Sequence, residues 1–378
     1  MVIVIHSRFL NEQEPGNGEN YISEVVKKIA KQQRNHSFIL LNKEPSTHKN
    51  NLPPNVKMHI AGPKKQTPLS WLYWYNFKAP LLLRKLKADV FMTNDFCSFT
   101  TRVPQLLFST NLSFLYHPPS LKKSQIAFNK KYVPRFLKKS SSVVTTSEFV
   151  KKLCIEKYKI PPDKIQVAYS AADENYLPVS YLERELVKEK YANGNEYFVS
   201  FGQFHPGSIL INLLKAFSAF KKRQKSGMRL LIASDSKILD KEFVLALKTF
   251  KFRDDLRVLE DLASDEHSKI VASAWGAVHI PLVDNFGSSL FNVMKCGVPI
   301  VTSSTGFIPE IAGDAALLAN PLNFKEIAVQ MMLLFKDEKL RIDLIEKGKK
   351  HLEHYNWDYT AGNILKAIQK ATLFSGGI

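Results

Sequence analysis

Glycines and expected helix starts are the features of this sequence best suited to binding a phosphate group. Gly16 and Gly18, near the amino terminus, allow the backbone to approach a phosphate closely. Helices are expected after Gly207 and Gly287, and the partial positive charge of a helix amino terminus attracts anions. An ordinary turn is the alternative for the first two glycines, and a plain helix cap is the alternative for Ser208.

Three polar residues stand where a group that handles charge or protons could act. Asp95 closely follows an apolar strand pattern, and His117 lies in a Leu-Tyr-His-Pro segment further along. Lys295 comes one helical turn after Asn292, so it could supply a cation on that side of the helix. For each of the three, a structural role or a solvated side chain is the alternative.

The cysteines and carboxylates show no metal-binding pattern. Cys97, Cys154 and Cys296 are far apart and odd in number, which is typical of buried thiols in a reducing compartment. No Asp-x-Asp sequence is present. We therefore expect neither a metal ion nor a cofactor.

Basic charge is concentrated in the first half of the chain. Residues 1–170 contain 27 Lys and Arg against 10 Asp and Glu, whereas residues 171–378 contain 26 against 25. A one-sided field of this kind attracts anionic membranes, phosphorylated molecules or nucleic acid.

Short apolar runs alternate with helical patterns along both halves of the 378-residue chain. Strands are predicted at residues 2–5, 37–41, 56–60, 89–92, 105–108, 142–145, 164–168, 197–201, 229–233, 256–259, 277–280 and 299–302. Helices are predicted at residues 22–29, 68–87, 147–158, 210–217, 322–336, 338–352 and 357–372, with Pro80 kinking or splitting the second. This alternation predicts two parallel sheets, each with helices on both faces, and ligands at the carboxyl ends of the strands.

Several segments, in order along the whole chain, resemble glycosyltransferase family 4. Residues 281–299, PLVDNFGSSLFNVMKCGVP, resemble the donor-site motif of that family, and TGFIPEIAGDAA continues it. The segment SFGQFHP resembles the first strand and loop of the family's second domain, and TSEF and PPDKI resemble the segment before the linker. Tyr355-Asn-Trp357 resembles the opening of the last helix, and Gly16 to Gly18 stand at the family's glycine-rich loop.

The resemblance implies the GT-B fold, with two Rossmann-like doubly wound domains facing across a cleft. It places an acceptor-side domain at residues 1–170, a linker at 171–195 and a nucleotide-sugar domain at 196–355. A final helix at 356–378 is expected to cross back to the first domain.

Family members move a sugar from a nucleotide-sugar donor to an acceptor with retention of configuration. The resemblance therefore implies a UDP- or GDP-linked donor and a polysaccharide or lipid-linked acceptor. It implies a donor site that includes Phe286, Gly287, Ser288 and Leu290, with Lys295 at a position where the family has a small residue.

The charged positions of the family pattern are mostly replaced. The arginine and the lysine that meet charge on the leaving diphosphate correspond to Gln203 and Ser208. The two glutamates eight positions apart correspond to Asp284 and Asn292, and the histidine of the sugar pocket corresponds to Thr110. Two functions stay open: an active glycosyltransferase, or a catalytically inactive pseudo-glycosyltransferase that acts as a binding or partner subunit.

Aromatic and basic residues cluster in the first half. Residues 71–78 and 81–87 are rich in aromatic and apolar residues next to basic ones, and residues 122–139 carry seven basic residues. Such a surface suits the interface of an anionic membrane, whereas a core helix is the alternative for the aromatic residues. We expect a cytoplasmic protein that associates peripherally with the inner face of the membrane, and no nucleic acid partner.

Overall fold

The computed structural model describes residues 1–6, 17–42, 52–63, 67–94, 96–109, 112–115, 122–202, 210–234, 237, 241–282, 284 and 286–373. Within this part of the chain there are two compact units. Unit 1 contains residues 1–170 and 357–378, and unit 2 contains residues 171–356. Each unit holds one parallel sheet, so the predicted α/β class with two doubly wound sheets is confirmed.

Unit 1 is built on a seven-stranded sheet with the order β3-β2-β1-β4-β5-β6-β7. The strands are β1 Val2–His6, β2 Ser37–Asn42, β3 Val56–Ile60, β4 Val90–Asn94, β5 Gln105–Ser109, β6 Ser142–Thr145 and β7 Ile165–Val167. The helices are α1 Asn17–Gln32, α2 Pro68–Tyr73, α3 Ala79–Lys85, α4 Lys123–Lys139, α5 Glu148–Tyr158 and α14 Trp357–Leu373. The central strands β4 and β5 are buried along their whole length, which explains why their sequences read as short apolar runs.

Unit 2 is built on a six-stranded sheet with the order β10-β9-β8-β11-β12-β13. The strands are β8 Tyr197–Phe201, β9 Arg229–Ala233, β10 Leu256–Leu259, β11 Gly276–His279, β12 Ile300–Ser303 and β13 Leu317–Ala319. The helices are α6 Tyr181–Ala192, α7 Leu210–Gln224, α8 Lys241–Lys248, α9 Ser264–Ala272, α10 Ser288–Lys295, α11 Ile308–Ala312, α12 Phe324–Lys336 and α13 Glu338–Leu352.

Local sequence signals explain several element boundaries. The Ser147 hydroxyl accepts a hydrogen bond from the Val150 N–H at 3.1 Å and begins α5, as its residue type predicts. The helical pattern over residues 68–87 is divided into α2, a π-helical turn at Trp74–Lys78, and α3. Pro80 stands in the first turn of α3, directly after the π-helical turn, so the helical segment divides near the proline as predicted.

Two helices depart from the predictions. Residues 171–195 were predicted as an aperiodic linker, but α6 occupies 181–192, begun by Ser180 and ended by Asn193 in the left-handed conformation. Its apolar residues face both the core and the solvent, which conceals the helical period. Helix α4 was missed for a different reason. It is rich in lysine, and only Phe136 and Leu137 are fully buried, so its sequence shows little apolar periodicity.

Helix α14 packs within unit 1 although it comes last in the chain. The Thr360 hydroxyl donates to the Tyr169 carbonyl oxygen at 2.7 Å, and the Asn363 amide donates to that of Val167 at 3.1 Å. Among the described helices of the protein, none combines the length and apolar character needed to cross a membrane.

Candidate functional site

In the sheet of unit 2, the order in which the chain adds strands reverses between the neighbouring strands β8 and β11. The chain runs outward from β8 through β9 to β10 on one side, then returns to β11 and continues to β13 on the other. Ligands of open α/β sheets bind outside the carboxyl ends of the strands at this kind of switch point. Gly202 follows β8 there with a φ of +110°, and the predicted motif, residues 281–299, begins two residues after the end of β11.

Asp284 organises the loop that joins β11 to α10. Its Oδ1 atom accepts hydrogen bonds from the backbone N–H groups of Phe286 and Gly287, both at 2.9 Å. A carboxylate with a short side chain can fold back onto its own loop in this way. The retained negative charge therefore holds the loop in shape immediately before the helix.

Gly287 is required by its conformation and by its neighbours. It has a φ of +69° at the amino-terminal cap of α10, a left-handed conformation that favours glycine. A Cβ atom on this residue would lie 1.9 Å from Cδ1 of the buried Ile311. The close approach lets α10 begin beside α11.

The amino terminus of α10 carries two kinds of polar group. The helix itself contributes partial positive charge. The hydroxyl oxygen of Ser288, its first residue, is buried and has no hydrogen-bond partner within the described part of the chain. Phe286 and Leu290, by contrast, have buried side chains that pack this turn into the core. The polar groups at this turn are suited to an anionic or hydroxyl-bearing ligand.

His279 is a polar residue that the sequence reasoning overlooked. It ends β11 at the switch point, and its Nδ1–H donates to the carbonyl oxygen of Phe201 at 3.0 Å. The two rings stack with centroids 5.0 Å apart. Burial lowers the pKa of His279, although the Asp284 carboxylate and the Phe201 hydrogen bond act in the opposite direction. The ring is therefore neutral near pH 7, with a lone pair on Nε2.

Thr302 adds a second polar group beside His279. The two residues are register partners on β12 and β11, so their side chains share one face of the sheet. The Thr302 hydroxyl is fully buried and finds no hydrogen-bond partner among the residues that the structure describes. The sequence signal for His279 was its position as a histidine at the end of the otherwise apolar strand β11.

Asn292 and Lys295 both bind the backbone of Asp173. The Asn292 side-chain oxygen accepts a hydrogen bond from the Asp173 N–H at 2.8 Å, and the Lys295 Nζ donates to the Asp173 carbonyl oxygen at 2.8 Å. The sequence suggested that Lys295 lies near the side of α10 that carries Asn292, and the partner that both side chains contact here is the backbone of Asp173 in unit 2. We refer to this arrangement as the Asp173 clamp.

The remaining predicted site residues are largely outside the described part of the chain. This applies to Asp95, Thr110, His117, Gln203, Ser208 and Gly16. Gly18 lies in the first turn of α1, so the predicted glycine loop runs into a helix start.

Unit 1 has its own polar group at the corresponding place. Its switch point lies between β1 and β4, and His6 ends β1 there. The buried His6 ring is hydrogen-bonded to the Tyr75 hydroxyl at 2.8 Å and is surrounded by Trp71 and Trp74. Burial lowers its pKa to about 3. Its register partner Thr93 has a buried hydroxyl with no hydrogen-bond partner among the described residues.

Two doubly wound units, with a glycine-capped helix after the switch-point strand of the second, define a class of two-domain nucleotide-binding architectures. The Glycosyltransferase Family 4 model matches residues 18–176, and the Glycosyl transferases group 1 model matches residues 183–351. The matches follow one another and together span most of the chain. The chain belongs to the group 1 glycosyl transferases of glycosyltransferase family 4.

Similar proteins with known names cover parts of the chain. It is 23% identical over 255 residues to the O-antigen chain mannosyltransferase B of Escherichia coli, a match that covers 67% of this chain and 66% of that protein. It is 24% identical over 242 residues to the mannosylfructose-phosphate synthase of Agrobacterium fabrum, covering 61% of this chain and 53% of that protein. The matches thus span about half to two thirds of these relatives.

Solved structures share the fold over the whole chain. A sucrose-phosphate synthase from Thermosynechococcus elongatus superposes with a TM-score of 0.78 at 15% identity, covering 100% of both chains. Anabaena HepE in complex with UDP and glucose superposes with a TM-score of 0.73 at 14% identity, covering 98% of this chain and 99% of the other. At these identities the likeness shows the GT-B fold.

Proposed function

We propose that this protein transfers a sugar, with retention of configuration, from a UDP- or GDP-linked donor to a polysaccharide or lipid-linked acceptor. The observation that carries the proposal is the loop held by Asp284, which joins the switch-point strand to a glycine-capped helix within a family 4 chain. The named relatives support it, because they include a mannosyltransferase of O-antigen chains, and the neighbour HepE was solved with UDP and glucose.

The residues of unit 2 divide the expected work as follows. The leaving diphosphate is assigned to the amino terminus of α10, where helix charge and the Ser288 hydroxyl can meet it. His279 is assigned to the same group, because a bound dianion favours the imidazolium form and raises the pKa of the ring. Asp284 uses one oxygen for its loop, and we assign the other to a hydroxyl of the donor sugar.

A second candidate function is a donor-binding or partner subunit without turnover. Two observations favour it. Asn292 and Lys295 are engaged with the Asp173 backbone, and the family's two cationic positions correspond to Gln203 and Ser208. Loss of one preorganised group that stabilises developing charge costs about 10²–10³ in rate. On this reading UDP or GDP binds while donor cleavage stays undetectable.

One experiment separates the two functions. Binding of UDP and GDP is measured by calorimetry, and release of nucleoside diphosphate is measured with UDP-glucose, UDP-N-acetylglucosamine and GDP-mannose. We expect at least one nucleotide to bind and its sugar conjugate to turn over. Asp284→Asn keeps the loop acceptor oxygen but removes the charge, so we expect a loss of about 10² in kcat/KM.

The matched control is Asp254→Asn, because that carboxylate is 97% exposed on the surface of unit 2. Its turnover should equal that of the unmodified protein. Nucleotide binding without turnover would favour the second function. No binding of either nucleotide would overturn both the transferase and the donor-binding subunit.

A further inference from the structure

Unit 1 exposes a row of large apolar side chains along α2, the π-helical turn and α3. Leu69, Tyr73, Phe77 and Leu81 are spaced by four residues and are between 55% and 75% exposed. The rings of Tyr73 and Phe77 stack with centroids 5.1 Å apart, so the row is continuous. We call these four residues the α2–α3 stripe.

The π-helical turn keeps the stripe on one face. On an α-helix, a spacing of four residues drifts by about 40° at each step. A π-helical turn has a wider repeat, closed by the hydrogen bond from the Ala79 N–H to the Trp74 carbonyl oxygen, and this offsets the drift. The exposed residues therefore stay aligned across the whole segment.

The segment that carries the stripe also has a buried face, so the exposure of the stripe does not mean that the segment is unpacked. The opposite face of the same segment buries Trp71, Trp74, Tyr75, Ala79 and Leu83 in the main cluster of unit 1. The aromatic residues noted in the sequence thus divide into two sets, one in the core and one in solvent. The predicted core role holds for the first set alone.

Basic residues, without any acidic ones, lie on the segment that carries the stripe and on helix α4. Residues 68–87 and helix α4 contain no Asp or Glu and carry ten basic residues, all exposed: Lys78, Arg84, Lys85, Lys87, Lys123, Lys130, Lys131, Arg135, Lys138 and Lys139. Helix α4 lies on the same face of the sheet as the stripe, because Phe136 and Leu137 belong to the same core cluster as Trp71 and Leu83. Asn76 and Phe136 both contact Phe99, which connects the π-helical turn to α4.

We propose that the α2–α3 stripe and its basic surround form a docking surface for an anionic lipid bilayer. Exposed aromatic and leucine side chains enter the boundary between headgroups and acyl chains, and lysine and arginine bind the lipid phosphates. A purely polyanionic partner such as nucleic acid explains the ten basic residues but not the apolar row. The inference stands independently of the proposed activity, and it would place a lipid-linked acceptor beside unit 1.

The test is co-sedimentation of the full chain with vesicles of phosphatidylcholine alone or with 30% phosphatidylglycerol. We expect binding to the anionic vesicles that weakens in 0.5 M salt, and little binding to the neutral ones. Tyr73→Ser with Phe77→Ser should lower the partition coefficient at least about tenfold, because both rings leave the interface. Leu69→Ser with Leu81→Ser is a second variant, which guards against a local folding defect in the first.

The matched control is Tyr181→Ser with Leu186→Ser, which removes two exposed apolar side chains from α6, where Glu183 and Glu185 intervene. This variant should bind anionic vesicles as the unmodified protein does. Equal loss in the control, equal binding to neutral vesicles, or full binding after removal of the stripe would each overturn the proposal. Abolition of binding by Arg84→Gln with Lys85→Gln alone, with no effect of the stripe variants, would show a purely electrostatic surface and overturn it as well.

Discussion

Substitution of Gly287 by alanine tests whether the close approach of α11 determines the geometry of the loop before α10. The residue has a φ of +69°, and an L-residue in the left-handed conformation costs about 1–2 kcal/mol. The new Cβ would also lie 1.9 Å from Ile311 Cδ1, and overpacking of this kind costs about 1–3 kcal/mol. We therefore expect Gly287→Ala to lower the free energy of unfolding of unit 2 by about 2–5 kcal/mol.

The matched control is Gly306→Ala. Gly306 has a φ of +66°, but its added Cβ would meet no atom within 4 Å. This variant should show only the conformational cost of about 1–2 kcal/mol. The difference between the two variants therefore isolates the packing contribution at Ile311.

The assay is urea unfolding followed by circular dichroism and by tryptophan fluorescence in a variant that keeps Trp275, the tryptophan of unit 2, and has phenylalanine at the other three tryptophan positions. Ile311→Val removes the clashing Cδ1 atom, so the double variant Gly287→Ala with Ile311→Val should recover about 1–3 kcal/mol relative to additivity. Equal destabilisation by Gly287→Ala and Gly306→Ala, with no recovery in the double variant, would refute the close-approach argument.

Two further predictions concern His6 and Asn292, two buried side chains that are each hydrogen-bonded within their own unit. Because burial lowers the pKa of His6 from 6.5 to about 3, the unfolded chain binds a proton in this window that the folded chain does not, so stability should fall as pH drops below 6.5. The loss should reach about 2 kcal/mol by pH 4.5, and His6→Gln should remove that slope in urea unfolding at several pH values; an unchanged slope would contradict it. Asn292→Ala removes the acceptor of the Asp173 N–H, so its amide hydrogen exchange should accelerate about tenfold, whereas Asn292→Asp should retain protection. Similar exchange in both variants would show that the clamp does not hold Asp173.

The sequence predicted the strands of both units well, because buried parallel strands appear as short apolar runs. For example, the predicted 142–145 and 197–201 coincide with the buried strands β6 and β8. Helix α6 was missed because Tyr181 and Leu186 put apolar residues on its solvent side. Pattern alone cannot reveal which apolar residue is exposed, so the sequence indicated a membrane-facing surface over residues 71–87 but could not separate the α2–α3 stripe from the core residues of the same segment.

The candidate site could be located from the sequence but not completed. The motif position after β11 was indicated by the family resemblance, and the helix start after Gly287 was expected from the sequence. The hydrogen bonds of Asp284 to its own loop were not predicted, because the sequence indicated this residue only as the counterpart of a family glutamate. His279 was missed because its partner, the Phe201 carbonyl oxygen, lies 78 residues away and comes near only when β8 and β11 pair. The Asp173 clamp joins residues more than a hundred positions apart for the same reason.

The carboxylate of Asp284 accepts hydrogen bonds from the backbone of its own loop. An aspartate has the reach to accept hydrogen bonds from the N–H groups two and three residues later, whereas the longer glutamate of the family pattern extends further from its own backbone. At position 292, where the resemblance implies a glutamate, asparagine supplies an oxygen that accepts from the Asp173 N–H without burying a charge, since Asn292 is 7% exposed. Both replacements therefore favour contacts with the backbone of unit 2. Under the proposed function, stabilisation of a leaving diphosphate would then fall to the start of α10 and to His279, because a bound anion favours the protonated form of its ring.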